Sequence, residues 1–280
     1  MHPILVRIGP ITIHYYGLMY VIAISIGLIL IIKNVRRKQI PLSSEDMFDL
    51  LLWTIPLAIV GARIYYVAFQ WGYYSRHPLD MVKVWQGGLA IHGGVIAGAI
   101  AVYLFCRAKR VSFWALTDAI APSLILGQAI GRIGNLMNGD AFGLPTTLPW
   151  GIRFPPDSPV GQAYPGLATH PSMIYEMILN AAIFIYLLRI RKTNYRDGFT
   201  TAMYFILYSL ARSVVSFSRG DSLWVGPIRA AHVISALLII GFGVFILRRR
   251  LHIPVTPESV PQGRSDEPTD HRESPLVSPK

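Results

Sequence analysis

Seven apolar runs, each about twenty residues long, constrain the fold of this chain more than any other feature. A run of that length can cross the hydrocarbon core of a bilayer as an α-helix. The runs are continuous and do not alternate, which argues against a β-barrel, the other structure that can span a membrane. They occupy residues 13–32, 48–69, 88–106, 115–136, 171–190, 199–217 and 230–247. The sequence therefore predicts an all-α polytopic membrane protein with seven transmembrane helices.

The basic residues lie in short clusters at the ends of alternate runs. A net charge of +11 would also suit nucleic-acid binding, but this clustering argues against it, and we expect no nucleic-acid partner. Cytoplasmic loops of membrane proteins carry the excess of Lys and Arg. The clusters that follow the odd-numbered runs lie at 33–38, 107–110, 189–196 and 248–250. We therefore expect the N-terminus outside and the C-terminus in the cytoplasm.

Two segments lie outside the predicted helices and differ in composition from the rest. Residues 137–170 are rich in Gly and Pro and predict a small external loop region between spans four and five. Residues 251–280 contain six prolines, mixed charges and few large apolar groups. Such a composition cannot bury a core, which predicts a disordered cytoplasmic tail. Residues 1–250 then form one transmembrane domain.

Polar side chains interrupt the end of the fourth run, where the sequence reads GRIGNLMNGDAFG over 131–143. An arginine near the centre of a bilayer costs about 2.5–3.5 kcal/mol on insertion scales, so it needs a partner or a function. Arg132 and Asn135 share one helix face, and Asn138 and Asp140 follow. Guanidinium and amide donors suit phosphate oxygens, so the segment is a candidate anion site. The alternative is a structural arginine that binds carbonyls at a helix C-terminus.

Two further arginines lie inside apolar runs. Arg212 is in the sixth run, with Tyr208 one turn before it, and Arg63 is in the second run. A second buried guanidinium strengthens the hypothesis of an anion site. The alternative for Arg212 is a pairing with Glu176 or Asp118. Arg63 suits either the same anion site or a carboxylate partner.

His92 lies between two glycine pairs, in GGLAIHGG at the start of the third run. Its unperturbed pKa near 6.5 suits a general base at neutral pH, although a lone histidine is also compatible with a structural role. The chain has one cysteine, Cys106, no clustered histidines and no glycine-rich nucleotide loop. We therefore expect no metal and no cofactor.

The motifs occur in a fixed order: HYYGLMY at 14–20, HGG at 92–94, the 131–143 segment, HPSMIYE at 170–176, then Tyr208 and Arg212. In this order, over residues 8–250, the chain resembles the prolipoprotein diacylglyceryl transferase family. The resemblance implies a seven-helix enzyme of the bacterial inner membrane with an outward N-terminus. It also implies transfer of diacylglycerol from phosphatidylglycerol to the lipobox cysteine of prolipoprotein signal peptides, without metal or nucleotide.

The resemblance also implies roles for individual residues. The expected catalytic residues are Tyr16, His92, Arg132, Tyr208 and Arg212. The substrate-binding residues that it implies are Arg132, Asn135 and Gly143. To these the polar residues themselves add Arg63, Asn138 and Asp140 as expected substrate-binding residues. Two positions depart from the family pattern, because Asp140 and Ser216 stand where the family usually has Glu.

Two other functions are compatible with the same residues. Buried arginines also occur in transporters of anionic lipids or solutes, although this chain lacks the inverted repeat that many transporters have. The loss of a carboxylate at Ser216 is compatible with a weakened paralogue that binds phosphatidylglycerol without efficient turnover. The transferase accounts for more of the motifs than either alternative.

Overall fold

A computed structural model describes residues 4–9 and 11–255, so most of the predicted tail, residues 256–280, lies outside the described residues. Seven long helices lie at the predicted apolar runs, with ends that differ by a few residues. They are α1 Tyr15–Arg37, α2 Ser44–Phe69, α4 Ile91–Lys109, α5 Phe113–Asn138, α7 Ser172–Ile190, α8 Phe199–Ser216 and α9 Ala230–Arg249. Two short helices, α3 Trp71–Tyr74 and α6 Pro159–Ala163, lie in the loops.

Six of these helices are long and apolar enough to cross a membrane, within the part of the chain that the structure describes. The protein is therefore a polytopic helical membrane protein. The helix that does not meet this criterion is α8, at the predicted sixth run. Its 18 residues include Arg212 and five Ser or Thr residues, which make it more polar than the others.

Four short strands are the part of the fold that the all-α prediction lacked. Strands β1 Ile4–Ile8 and β2 Ile11–His14 form an antiparallel hairpin before α1. A second hairpin, β3 Trp224–Val225 with β4 Ile228–Arg229, precedes α9. The first hairpin includes residues 13 and 14, so the first helix begins two residues later than predicted. The β-branched residues of this hairpin favour strand, and Gly9 at φ +59° supplies the left-handed turn between β1 and β2.

Helix α5 lies at the centre of the bundle. It packs against α1, α7 and α8, while α2 packs mainly on α4 and α9 on α8. Half of the apolar stretch of α5 is buried inside the protein, against 6% for α1 and α9. The polar side chains of α5 therefore meet protein groups on several sides.

The first turn of α8 is held by a carboxylate from α5. Asp118 accepts hydrogen bonds from the backbone N–H of Gly198 at 2.9 Å and of Thr201 at 2.8 Å. The Thr201 hydroxyl and the Lys38 ammonium also donate to Asp118, at 2.8 and 2.9 Å. A buried carboxylate thus satisfies N–H groups that a helix N-terminus leaves without intrahelical partners. Asp118 is therefore not a partner of Arg212.

Two glycines allow a close contact between α2 and α4. A Cβ on Gly93 would lie 2.3 Å from the carbonyl oxygen of Gly61, and one on Gly61 would lie 2.2 Å from Cβ of Ala97. Small residues let helix backbones approach in this way in membranes. Gly93 directly follows His92, so this contact fixes the position of the first turn of α4.

We predict that Gly93→Ala destabilises the protein by about 1–3 kcal/mol, because the added methyl overpacks the contact between α2 and α4. Thermal unfolding of the detergent-purified protein measures the effect. Gly243→Ala in α9 is the matched control, since no atom lies within 4 Å of the Cβ position there. Equal melting temperatures for the two variants would contradict the prediction.

Candidate functional site

The centre of the site is Glu176, a fully buried carboxylate in the second turn of α7. Its Oε1 accepts a hydrogen bond from Nη2 of Arg132 on α5. Its Oε2 accepts from Nη1 of Arg212 on α8 at 3.2 Å and from Nη1 of Arg219, just after α8, at 3.5 Å. One carboxylate thus faces three guanidinium groups. The cluster keeps an excess of positive charge, although Arg219 also pairs with Asp221.

The polar residues at the end of α5 form one hydrogen-bonded chain. Nη1 of Arg132 donates to Oδ1 of Asn135 at 2.9 Å, and Nδ2 of Asn135 donates to Oδ1 of Asp140 at 2.5 Å. Nδ2 of Asn138 donates to the other Asp140 oxygen at 2.7 Å. Gly139, at φ +70°, ends the helix and turns the chain so that Asp140 lies beside Asn135. The structure therefore brings the four predicted polar residues of this segment together.

Arg212 and Arg132 remain partly exposed. Their side chains are 26% and 18% exposed, whereas Glu176 between them is fully buried. The alternative pairing of Arg212 with Glu176 is thus present, and it coexists with a cluster of cations because Glu176 is shared. Tyr208 lies one turn before Arg212 and stacks on Tyr204, with ring centroids 6.1 Å apart.

Gly143 allows three segments of chain to meet beside this cluster. A Cβ at this position would lie 2.4 Å from the carbonyl oxygen of His170 and 2.7 Å from Oγ of Ser172. Its N–H donates to the His170 carbonyl at 3.1 Å, and its backbone forms a β-bridge with Arg219. Gly143 therefore positions Arg219, which sequence reasoning missed. Arg219 follows an apolar run as any flanking charge does, so no local signal distinguished it.

Tyr16 packs where α1 begins. Its ring lies against Gly134 of α5, where a Cβ would be 2.7 Å from Cδ2 of the tyrosine. It also contacts the ring of Tyr20 edge-on at 5.0 Å. Gly134 is one residue before Asn135, so the structure brings Tyr16 to the border of the hydrogen-bonded chain.

His92 lies exposed in the first turn of α4, outside the arginine cluster. Its ring centroid is 5.9 Å from that of Tyr65. Within residues 4–9 and 11–255, no protein group hydrogen-bonds the imidazole. The structure therefore leaves the ring accessible without bringing it into the network around Glu176.

Arg63 lies apart from the arginine cluster, and loop carbonyls bind its guanidinium group. Nε donates to Met81 at 2.9 Å, Nη1 to Gly87 and Gly88 at 2.6 and 2.9 Å, and Nη2 to Asp80 and Lys83 at 2.6 and 3.3 Å. Its guanidinium group therefore binds neither a carboxylate nor the arginine cluster. The physical reason is that the loop presents five backbone carbonyls to one buried guanidinium, whose five N–H groups match them in number.

The same loop carries a small charged network of its own. Lys83 donates to Asp80 at 2.6 Å and the Tyr73 hydroxyl donates at 2.8 Å. Hydrogen bonds from Lys83, then from Tyr73, hold the pKa of the Asp80 carboxyl below its usual range. Among the described residues, no group of three or more His, Cys, Asp or Glu side chains is arranged to hold a metal ion.

The fold and the site together define a polytopic helical membrane protein with a partly exposed, positively charged cluster at one end of its bundle. The sequence profile of the prolipoprotein diacylglyceryl transferase family matches residues 3–248. A protein of Nostoc sp. (strain PCC 7120) is 41% identical over 275 residues, which cover 93% of this chain and 95% of that protein. The chain belongs to the prolipoprotein diacylglyceryl transferase family.

Other relatives agree with this assignment. A protein of Thermosynechococcus vestitus is 42% identical over 249 residues, which cover 86% of this chain and 91% of that protein. A protein of Geobacillus kaustophilus is 43% identical over 250 residues, which cover 88% of this chain and 92% of that protein. All three relatives carry the name phosphatidylglycerol–prolipoprotein diacylglyceryl transferase.

We predict that Glu176→Gln lowers stability by about 3–5 kcal/mol, because three guanidiniums lose their shared buried carboxylate. Thermal unfolding in detergent measures the loss. Inorganic phosphate should raise the melting temperature of the variant more than that of the parent, since an anion can then lie between the arginines. Glu45→Gln, at an exposed position in the first turn of α2, is the control and should leave the melting temperature unchanged. An unchanged melting temperature for Glu176→Gln would refute the central role of Glu176.

Proposed function

We propose that this protein transfers the diacylglyceryl group of phosphatidylglycerol to the lipobox cysteine of a prolipoprotein. The cysteine sulfur attacks the glyceryl carbon that bears the phosphate and forms a C–S bond. The C–O bond to the phosphate breaks, and its electron pair leaves with the oxygen of glycerol phosphate. The thiol proton passes to a base. The observation that supports the proposal is the pair of partly exposed guanidiniums of Arg132 and Arg212 in a chain of this family.

The two arginines would bind the phosphate and stabilise the charge that develops on the departing oxygen. Guanidinium groups donate two parallel hydrogen bonds to phosphate oxygens. Such donors are more effective in a site shielded from water, where the effective dielectric constant is low. Glu176 holds both guanidiniums in place. Together with Asp221 it balances two of the three positive charges, so the cluster keeps a net positive charge that favours binding of an anion.

The thiol needs activation, because a cysteine with a pKa near 8.5 is only a few per cent thiolate at neutral pH. His92 is our candidate for the base, and its exposed ring supports access by a substrate. Tyr208, one turn from Arg212, is a second candidate, and the field of the arginines would itself favour the thiolate. General-base catalysis contributes typically about 10²–10⁴-fold.

The remaining predicted residues would position these groups. Tyr16, Asn135, Asn138 and Asp140 would shape the end of α5 around the lipid headgroup. Gly143 would hold the segment that carries Arg219 beside it. Arg63 would act indirectly, by fixing the loop that leads to His92, because its donors already bind carbonyls.

Both departures from the family pattern have a compensating contact. Asp140 is shorter than Glu, but two asparagine amides reach its two oxygens. Ser216 supplies no carboxylate to Arg212, but Glu176 does. These contacts favour a working enzyme over the weakened paralogue, and no observation favours the transporter.

The orientation is part of the proposal. In it, α8 also crosses the membrane and brings the number of spans to seven, because Asp118 and Glu176 bind Thr201 and Arg212 of α8 inside the bundle. The N-terminus, the 137–170 loop and the arginine cluster face outward from the bacterial inner membrane, and the C-terminus is cytoplasmic. The supporting pattern is the basic clusters at the opposite end of the helices.

Reporter fusions test this orientation. We expect fusions after Arg110 and Arg191 to report the cytoplasm, and fusions within 140–168 and 219–228 to report the outside. A cytoplasmic signal from 140–168 would reverse the orientation. The same compartment for fusions after Arg191 and within 219–228 would show that α8 does not cross the membrane.

The purified protein, given phosphatidylglycerol and a lipobox peptide, tests the function. We expect the peptide mass to increase by one diacylglyceryl group, with release of glycerol phosphate and no effect of EDTA. Movement of lipid or solute without peptide modification would favour a transporter. Binding of both substrates without product would favour a weakened paralogue.

Arginine variants test the role of the cluster in the same assay. Arg132→Lys and Arg212→Lys should each lower kcat by about 10²-fold or more, because an ammonium lacks the two-pronged geometry of guanidinium. Arg76→Lys, at an exposed loop position, is the matched control and should keep the parent rate. Parent-like rates for both cluster variants would remove the arginines from the reaction.

A further inference from the structure

A small cavity lies between the end of α5 and the segment that leads into α6. Its volume is about 90 Å³, which is on the scale of a few water molecules. A three-carbon polyol matches this scale, whereas a nucleotide or sugar chain exceeds it. Its walls include Met137, Asn138, Gly139, Phe154, Asp157 and Ser158.

Contacts within the protein build these walls. A Cβ on Gly139 would lie 2.8 Å from Cβ of Ser158, so only glycine permits the two segments to approach so closely. The Ser158 hydroxyl donates to the carbonyl of Pro155 at 2.6 Å and accepts from the N–H of Gly161 at 3.0 Å. The loop that carries Asp157 is therefore held in place without a ligand.

The polar groups that line the cavity are mainly hydrogen-bond acceptors. In the part of the chain that the structure describes, no protein group hydrogen-bonds the exposed carboxylate of Asp157. One N–H of Asn138 already donates to Asp140, so the Oδ1 acceptor and a second N–H of this amide remain. Phe154 supplies an apolar wall. Such a lining suits a molecule with hydroxyl donors on a short carbon chain. The Asp157 carboxylate in this lining disfavours binding of a second phosphate.

The position relative to the arginine cluster matches the order of groups in a phospholipid. Asn138 lies six residues after Arg132 on α5, about 9 Å further along the helix axis. Hydrogen bonds through Asn135 and Asp140 connect the two positions. In phosphatidylglycerol, the headgroup glycerol is attached to the phosphate on the side opposite the acyl chains. A phosphate at Arg132 would therefore direct this glycerol towards the end of α5.

We propose that this cavity binds the diol of the headgroup glycerol, with the Asp157 carboxylate accepting from its hydroxyls. The inference rests on the proposed function, because it assumes that a phosphate lies at the arginine cluster. It adds a basis on which the enzyme distinguishes a polyol headgroup from one without hydroxyls. Asp157 is then a specificity-determining residue that takes no part in the bond changes.

Binding of soluble headgroup analogues to the purified full chain tests the proposal. Glycerol phosphate and propyl phosphate share the phosphate and the carbon count, but propyl phosphate lacks the hydroxyls. We expect the parent to bind glycerol phosphate about tenfold more tightly, because a hydrogen bond to a charged group is involved. Asp157→Asn should reduce this preference to about twofold or less and leave the affinity for propyl phosphate unchanged.

Asp49→Asn is the matched control, since Asp49 is an exposed aspartate near the other end of the bundle. It should keep the tenfold preference. Equal binding of both analogues to the parent, or equal weakening of both by Asp157→Asn, would overturn the inference. Tighter binding of ethanolamine phosphate than of glycerol phosphate would also overturn it, because the cavity would then select an ammonium group.

The transferase assay separates this inference from the proposed function. If the parent modifies the lipobox peptide but binds both analogues alike, only the headgroup site is wrong. If the parent modifies no peptide yet prefers glycerol phosphate in a manner that depends on Asp157, the headgroup site holds and the transfer reaction is wrong.

Discussion

The geometry at the end of the bundle that carries the arginine cluster depends on one buried carboxylate. Glu176 is fully enclosed, and its two oxygens are shared by arginines from α5, from α8 and from the segment after α8. Desolvating a carboxylate costs several kcal/mol, and several cations around it offset that cost. Because each arginine belongs to a different part of the chain, the contact fixes the heights of α5, α7 and α8 relative to one another. It also keeps two guanidiniums close together that would otherwise repel.

The positions of the long helices follow from the sequence because each apolar run has the length of a bilayer crossing and a polar boundary. The polar segment that follows Arg132 could also be predicted as a site, since a buried arginine requires a partner. Arg63 is different. Its partners are carbonyls of a loop whose conformation depends on the packing of α2 against α4. Every residue carries a backbone carbonyl, so the amino-acid sequence does not indicate which carbonyls bind a side chain. The same limit hides the cavity beside Asn138, whose far wall comes from residues 154–159.

Arg219 and α8 show two further reasons why sequence reasoning stops short. Arg219 stands after an apolar run, as a flanking charge does, and its burial results from the β-bridge to Gly143 on a distant segment. The polarity of α8 lowers its hydropathy below that of the other long helices, yet the side chains responsible are largely directed into the protein. Ser209 and Ser216 are each 1% exposed. Average hydropathy cannot separate polar groups that face lipid from those that face neighbouring helices.

The contact between Asp118 and the start of α8 has a consequence for biosynthesis. The ribosome adds Asp118 about 80 residues before Gly198 and Thr201, so the acceptor for their N–H groups is made first. Glu176 of α7 is likewise made before Arg212. In the proposed topology, α8 is too polar to partition readily into lipid on its own, and it would insert against helices that already carry its hydrogen-bond acceptors. In a reordered version of this chain, α8 would be made before α5. The translocation machinery would then meet a polar segment without its acceptors, and such a segment would partition poorly into lipid.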